Sequence, residues 1–159
     1  MAGSAGARSG ARPEDQLATS MAGAGIEGIE VMLVLGSGLG AMADSLEEAR
    51  PLPFGDLAGM PRSAVPGHAG RFVVGRLEGV PVLVQQGRVH LYEGWSAEEA
   101  TRSVRAAAQL GVRSLVLTNA AGGMRPEWQV PSLMRLTDHL NLTGRSPLRP
   151  GEGLSLIHI

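Results

Sequence analysis

The 159-residue sequence carries 14 basic and 15 acidic side chains; its length argues for one domain, and its near-neutral formal charge of −1 argues against a polyanion partner such as nucleic acid. Every basic residue is arginine, and lysine and cysteine are absent, which excludes Schiff-base lysine chemistry, the lysine-dependent Walker phosphate loop, thiol nucleophiles, disulfides and zinc–cysteine centres. With 23 Gly, 43% apolar residues and only Phe54, Phe72, Tyr92, Trp95 and Trp128 as aromatics, the core must be built from Val, Leu, Ala and Met, as in small-residue α/β packing.

Residues 1–28 are mostly Ala, Gly, Ser and Arg, with no apolar stretch of signal-peptide length, and are expected to form a disordered arm on a cytoplasmic protein. No apolar run approaches the roughly 20 residues of a membrane-spanning helix, so no membrane partner is expected. Glu30 to Leu35 (EVMLVL) is a short apolar run ending at Gly36, which predicts a strand buried on both faces. A short helix is expected over Ala41 to Ala49, and Pro51 to Gly70, with four Pro and four Gly, reads as a long loop of the kind that usually serves function. Arg71 to Leu77 and Pro81 to Gln86 predict a hairpin turning at Glu78-Gly79. Ser96 and Glu99 form a capping box that opens a helix stopped by Gly111; Ala100, Val104, Ala107, Ala108 and Leu110 fall on its apolar side, with Arg102 and Arg105 turned to solvent. Arg113 to Thr118 predicts another buried strand, and Leu133 to Thr137 a weaker one. The alternation implies an α/β fold, a mixed β-sheet flanked by helices.

Three of these strands end in turns of small or polar residues: Gly36-Ser37-Gly38-Leu39-Gly40, Gly87-Arg88-Val89-His90 and Asn119-Ala120-Ala121-Gly122-Gly123. In open α/β sheets ligands bind beyond the carboxyl ends of the strands, so the three turns are expected to share a pocket. Their chemistry suits an anion, because glycine lets backbone N–H groups approach an oxyanion, Ser37 adds a hydroxyl and Arg88 a permanently charged fork. Each charge-assisted hydrogen bond contributes about 1.5–3 kcal/mol, and millimolar affinity requires only about 4 kcal/mol, so two or three such contacts hold a phosphate. Singly, each motif has a plainer meaning. Gly36, Gly38 and Ala41 also fit the dinucleotide fingerprint G-x-G-x-x-A, although Asp56, at the distance of its ribose-binding acid, falls in the Pro/Gly-rich loop. Arg88, His90 and His68 can be solvated loop residues, His139 a structural residue beside Asp138, and Tyr92 and Trp95 plain core. A dinucleotide-binding oxidoreductase and a non-catalytic nucleoside- or phosphate-binding module are therefore alternatives.

Taken together, GSGLG at 36–40, VPGHAG at 65–70, QGRVHLYEG at 86–94, TNAAGGM at 118–124 and DHLNLTGRSPL at 138–148 resemble the trimeric purine nucleoside phosphorylases, over the N-terminal half of a family member. The resemblance implies reversible phosphorolysis of 6-oxopurine nucleosides to free base and ribose 1-phosphate, a transferase of purine salvage. It implies phosphate ligands at Ser37, His68, Arg88, His90 and the backbone N–H of Ala120, with Tyr92, Ala121 and Gly122 against the ribose and base. It further implies no metal and no cofactor, inorganic phosphate being a co-substrate, and a homotrimer. Residues 29–150 are accordingly expected to be the N-terminal part of a single phosphorylase domain. After Pro150 the sequence departs from the family pattern, so residues 151–159 are expected to be a non-native tail, and the chain a truncated form that is inactive and aggregation-prone.

Overall fold

The computed structural model describes residues 10–62 and 70–149. Its strands are β1 (Val31–Leu35), β2 (Glu47–Pro53), β3 (Arg71–Leu77), β4 (Val80–Gln86) and β5 (Ser114–Leu117), and its α-helices are α1 (Pro13–Gly23), α2 (Ala97–Ala100) and α3 (Arg102–Gln109). The strands form one five-stranded mixed sheet in the order β2-β3-β4-β1-β5. β1 runs parallel to both β4 and β5, whereas β3 is antiparallel to β4 and to β2. Parallel pairing of β4, β1 and β5 brings their three carboxyl ends to the same edge of the sheet.

β1 alternates between two cores. Met32 and Val34 join Leu83 of β4 and Phe72 of β3 against α1 and α3, while Leu33 and Leu35 join Val73, Val82, Val84, Ala43 and Leu46 on the other face. Burial on both faces is why β1 reads as an unbroken apolar run. The β3–β4 hairpin forms as expected: Leu77 pairs with Val80, and Glu78 and Gly79 both take positive φ, 49° and 75°, as a two-residue type I′ turn requires.

Several expectations are corrected. Residues 13–23, expected to lie in a disordered arm, form α1, and Leu17 and Met21 are completely buried. Leu17, Ala18 and Met21 recur at helical spacing, Pro13 occupies the first helical position, and Glu14 and Asp15 lie in the first turn, where the helix dipole favours acids. The domain therefore begins before residue 29; residues 1–9 and 151–159 lie outside the described residues. The expected helix at 41–49 is instead a 3-10 helix over Gly40–Ser45, followed by β2. β2 also claims the first prolines of the expected loop. Pro51 and Pro53 are tolerated because β2 is an edge strand, so a missing N–H leaves no partner unpaired.

The Ser96 capping box is present, with Ser96 Oγ accepting from the Glu99 N–H at 3.2 Å and the Glu99 carboxylate accepting from the Ser96 N–H at 2.9 Å. The helix it opens is not continuous. Thr101 sits at φ −104°, ψ 5° and its hydroxyl donates back to the Ala97 carbonyl at 2.9 Å, dividing α2 from α3. The break rotates the buried face, so Ser103, Ala106 and Ala107 point inward and Ala108 outward. Arg102 and Arg105 are not free in solvent: they donate to the Gly59 carbonyl at 2.7 Å and to the Pro147 carbonyl at 2.5 Å. Gly111, at φ 90°, ends α3 as expected, with the Val112 N–H returning to the Ala107 carbonyl at 3.2 Å.

β5 forms where expected but is exposed along its whole length, rather than buried, because no strand lies beyond it among the described residues. Residues 119–146 are likewise exposed, and Leu133–Thr137 is not a strand. The segment is held at its far end by Arg149, whose guanidinium meets Glu14 of α1 at 2.5 Å and Glu98 of α2 at 2.9 Å. Hydrogen bonding to Arg149 holds the Glu14 carboxyl below its ordinary value.

The docking of α1 gives a direct test. Leu17→Ala is expected to cost about 2–5 kcal/mol of stability by urea denaturation, the range for emptying a fully buried leucine site. A loss below about 0.5 kcal/mol, the scale of a surface change, would contradict the placement of α1.

Candidate active site

The first strand-end turn is shaped by its glycines. The Leu39 N–H donates to the Gly36 carbonyl at 3.2 Å, and Gly38 takes φ 85°, the left-handed conformation needed at the third position of a type II turn. Ser37 lies exposed at the crest of this turn. The dinucleotide alternative fails here, since that fingerprint requires the turn to open an α-helix leading to a parallel strand. Gly36-x-Gly38-x-x-Ala41 instead opens a short 3-10 helix, and the strand that follows, β2, lies at the far edge of the sheet and does not pair with β1.

Thr118, just past β5, joins the turns. Its hydroxyl accepts from the Gly36 N–H at 2.8 Å and donates to the Val34 carbonyl at 3.0 Å, while its own carbonyl accepts from Arg88 Nη1 at 3.0 Å. The carboxyl ends of β1, β4 and β5 thus meet through one residue. Contact is close enough that a Cβ at Gly36 would lie 2.7 Å from both the Thr118 carbonyl oxygen and the Asn119 Cα. Gln86, the last residue of β4, ties the Gly turn in from the other side: its Nε2 donates to the Gly40 carbonyl at 2.7 Å and its Oε1 accepts from Arg71 Nε at 2.6 Å.

Within the second turn Arg88 and His90 are both partly buried and face one another, Arg88 Nε lying 3.5 Å from His90 Nε2. The opposite nitrogen of the ring is fixed by Glu93, whose Oε1 lies 2.9 Å from Nδ1 and also accepts the His90 N–H at 2.9 Å. That carboxylate holds the imidazole so that Nε2, not Nδ1, is directed toward Arg88. Tyr92 is 78% exposed and stacks on His90, with ring centroids 4.8 Å apart and planes 15° from parallel, so it is not a core residue.

Ala120 follows Thr118 by two residues and is exposed, as are Ala121 and Gly122. Asn119 Nδ2 donates to the Ala120 carbonyl at 3.2 Å. A Cβ at Gly122 would meet nothing within 4 Å, so the crowded glycine of the site is Gly36. The structure therefore brings together Gly36, Ser37's turn, Arg88, His90 and the start of the 119–123 turn. His68 lies outside the described residues, and His139 is exposed, its backbone N–H bonded to the Asp138 carboxylate at 2.8 Å. Thr118, Glu93 and Gln86 organise the site but were given no role by sequence reasoning; a hydroxyl or carboxamide at a strand end, next to a glycine turn, is the signal that marks the first and last of them. Among the described residues no group of His, Asp and Glu has the arrangement of a metal site, and no helix is long and apolar enough to cross a membrane.

Residues 30–155 match the family model of the phosphorylase superfamily. The chain belongs to the phosphorylase superfamily. Among relatives in this superfamily, purine nucleoside phosphorylase 1 of Bacillus subtilis is 48% identical over 122 residues, covering 77% of this chain and 45% of the relative. The Bos taurus purine nucleoside phosphorylase is 43% identical over 124 residues, covering 78% of this chain and 43% of the relative. The fold is shared as well: the crystal structure of Schistosoma mansoni purine nucleoside phosphorylase in complex with inosine superposes with a TM-score of 0.66 at 31% identity, covering 74% of this chain and 41% of that one. The chain thus spans less than half the length of these superfamily relatives.

Proposed function

We propose that the whole protein is a purine nucleoside phosphorylase and that the three strand-end turns form its phosphate site. The observation that carries this reading is the junction at Thr118, where the Gly36 backbone and the Arg88 guanidinium are anchored on one residue. Around it, Ser37 Oγ, the Arg88 fork, His90 and the Ala120 N–H would surround an oxyanion, with His68 a further ligand. Tyr92, Ala121 and Gly122 would lie against the nucleoside. Inorganic phosphate is then a co-substrate, with no metal or other cofactor taking part.

In this reaction a phosphate oxygen bonds to C1′ of the nucleoside as the glycosidic C–N bond breaks. The electron pair departs with the purine, which takes up the proton that the hydrogen phosphate gives up, so that free base and the ribose 1-phosphate dianion are released. Glycosidases stabilise the oxocarbenium-like transition state with carboxylates; here the phosphate dianion supplies that negative charge. The contribution of this chain is to hold the dianion under C1′ with donors already fixed in place, so that positioning costs little when the reaction occurs. The resemblance to the trimeric enzymes supports a cytoplasmic homotrimer and a preference for 6-oxopurine nucleosides.

Incubating the whole protein with inosine is expected to release hypoxanthine only when phosphate is supplied, with ribose 1-phosphate formed in equal amount. Hypoxanthine release independent of phosphate, or phosphate binding without turnover, would contradict the reading, the latter favouring a binding module.

A further inference from the structure

Gln85 is an anomaly in β4. It occupies an inward position of a strand otherwise buried through Val82, Leu83 and Val84, and is itself 2% exposed. Burying a carboxamide is unfavourable unless both its ends are satisfied. Here they are, and each bond leads to a different element. Ser103 of α3, 3% exposed, donates its hydroxyl to Gln85 Oε1 at 2.7 Å, and Gln85 Nε2 donates to the Gly87 carbonyl at 3.0 Å. Gly87 is the residue at which the chain turns out of β4, at φ 89°, and the next residue is Arg88.

We propose that Gln85 and Ser103 are positioning residues for Arg88: they lock the Gly87 peptide to α3 and so aim the guanidinium at the Thr118 carbonyl. Acting on phosphate through Arg88, this role rests on the phosphate-site reading above; as an orienting device it stands on the hydrogen bonds alone. A purely apolar pair would fill the same space. What the polar pair adds is a fixed direction for one backbone carbonyl at the exit of the strand. An apolar side chain cannot specify that direction, because packing contacts are not directional.

The test exploits the difference. Gln85→Met/Ser103→Ala keeps the volume nearly constant and removes both partners together, a change that leaves no buried polar side chain unsatisfied. In the isotope-labelled whole protein, solvent exchange of the Arg88 Nε–H is read by NMR beside the amides of Leu83 and Val84. The double variant is expected to accelerate the Arg88 signal about three- to tenfold and leave Leu83 and Val84 unchanged. Ser103→Ala alone, which leaves the buried Gln85 Oε1 without its hydroxyl donor, is expected to move the Arg88 signal in the same direction. An unchanged Arg88 signal, or equal acceleration at Leu83 and Val84, would overturn the proposal by showing no coupling or a general loosening of β4. Titration of the same samples with inorganic phosphate is expected to give a dissociation constant raised by a similar factor in the double variant. Absence of phosphate binding in the unmodified whole protein would count against the phosphate site, while the exchange data would still decide the orienting role.

Discussion

Arg88→Ala is expected to weaken binding of inorganic phosphate about ten- to a hundredfold while leaving most of the fold intact. The magnitude follows from the roughly 1.5–3 kcal/mol of a hydrogen bond to a charged group, since each 1.4 kcal/mol is a factor of ten. The side chain is partly buried at the exit of β4, and its loss opens one contact to Thr118 without emptying a core position. Arg88→Lys separates charge from geometry: it keeps the cation but not the planar fork that reaches Thr118 and a phosphate together, so binding is expected to fall between that of Arg88→Ala and the unmodified chain. Isothermal titration with phosphate distinguishes the three. Equal affinity in all of them would mean that the guanidinium serves only to tie β4 to β5.

Gly36→Ala is expected to damage both the sheet and the site. The new methyl group would meet backbone atoms, at 2.7 Å, and no side-chain rotation can relieve such a contact. Either β1 and the 118–119 peptide move apart, or the Gly36 N–H loses its bond to the Thr118 hydroxyl. Overpacking of this kind costs about 1–3 kcal/mol, visible as a lowered urea midpoint together with faster exchange of the amides at position 36 and at Thr118. Gly122→Ala is the control. Its Cβ would project into open space, so a change within about 0.5 kcal/mol is expected. A Gly36→Ala variant as stable as the Gly122→Ala one would contradict the close junction of β1 and β5.

The sequence made the central elements legible where local chemistry and tertiary burial agree. β1 is apolar because both of its faces are covered, the β3–β4 turn has the glycine its positive φ needs, and Ser96 with Glu99 satisfies the first turn of a helix. Where they disagree, the reading failed. α1 was hidden by its small residues, since only Leu17 and Met21 stand out in an Ala/Ser/Gly-rich stretch, and their value appears only once the sheet face they cover exists. β2 was hidden by Pro51, Pro53 and the charged Glu47, Glu48 and Arg50, all acceptable at a sheet edge. β5 has the composition of a buried strand but no covering strand among the described residues, so composition alone misjudged its exposure.

The site was legible through topology more than through individual residues. Parallel strands deliver their carboxyl ends to one edge, so the turns at Gly36, Gly87 and Asn119 are expected to meet whatever their individual contacts. The contacts that fix them were not readable, because they depend on register. Thr118 bonds Gly36 only because Val34 and Leu117 are paired, and Gln85 meets Ser103 only because α3 begins after the break at Thr101.

The claim that the three turns form one phosphate site is tested most directly by titrating inorganic phosphate into the isotope-labelled whole protein and observing the backbone amides. Ser37, Arg88, His90 and Ala120 are expected to shift together and to saturate along a single curve, with a dissociation constant on the order of millimolar. Shifts confined to one turn, different curves for different turns, or no saturable response would contradict it.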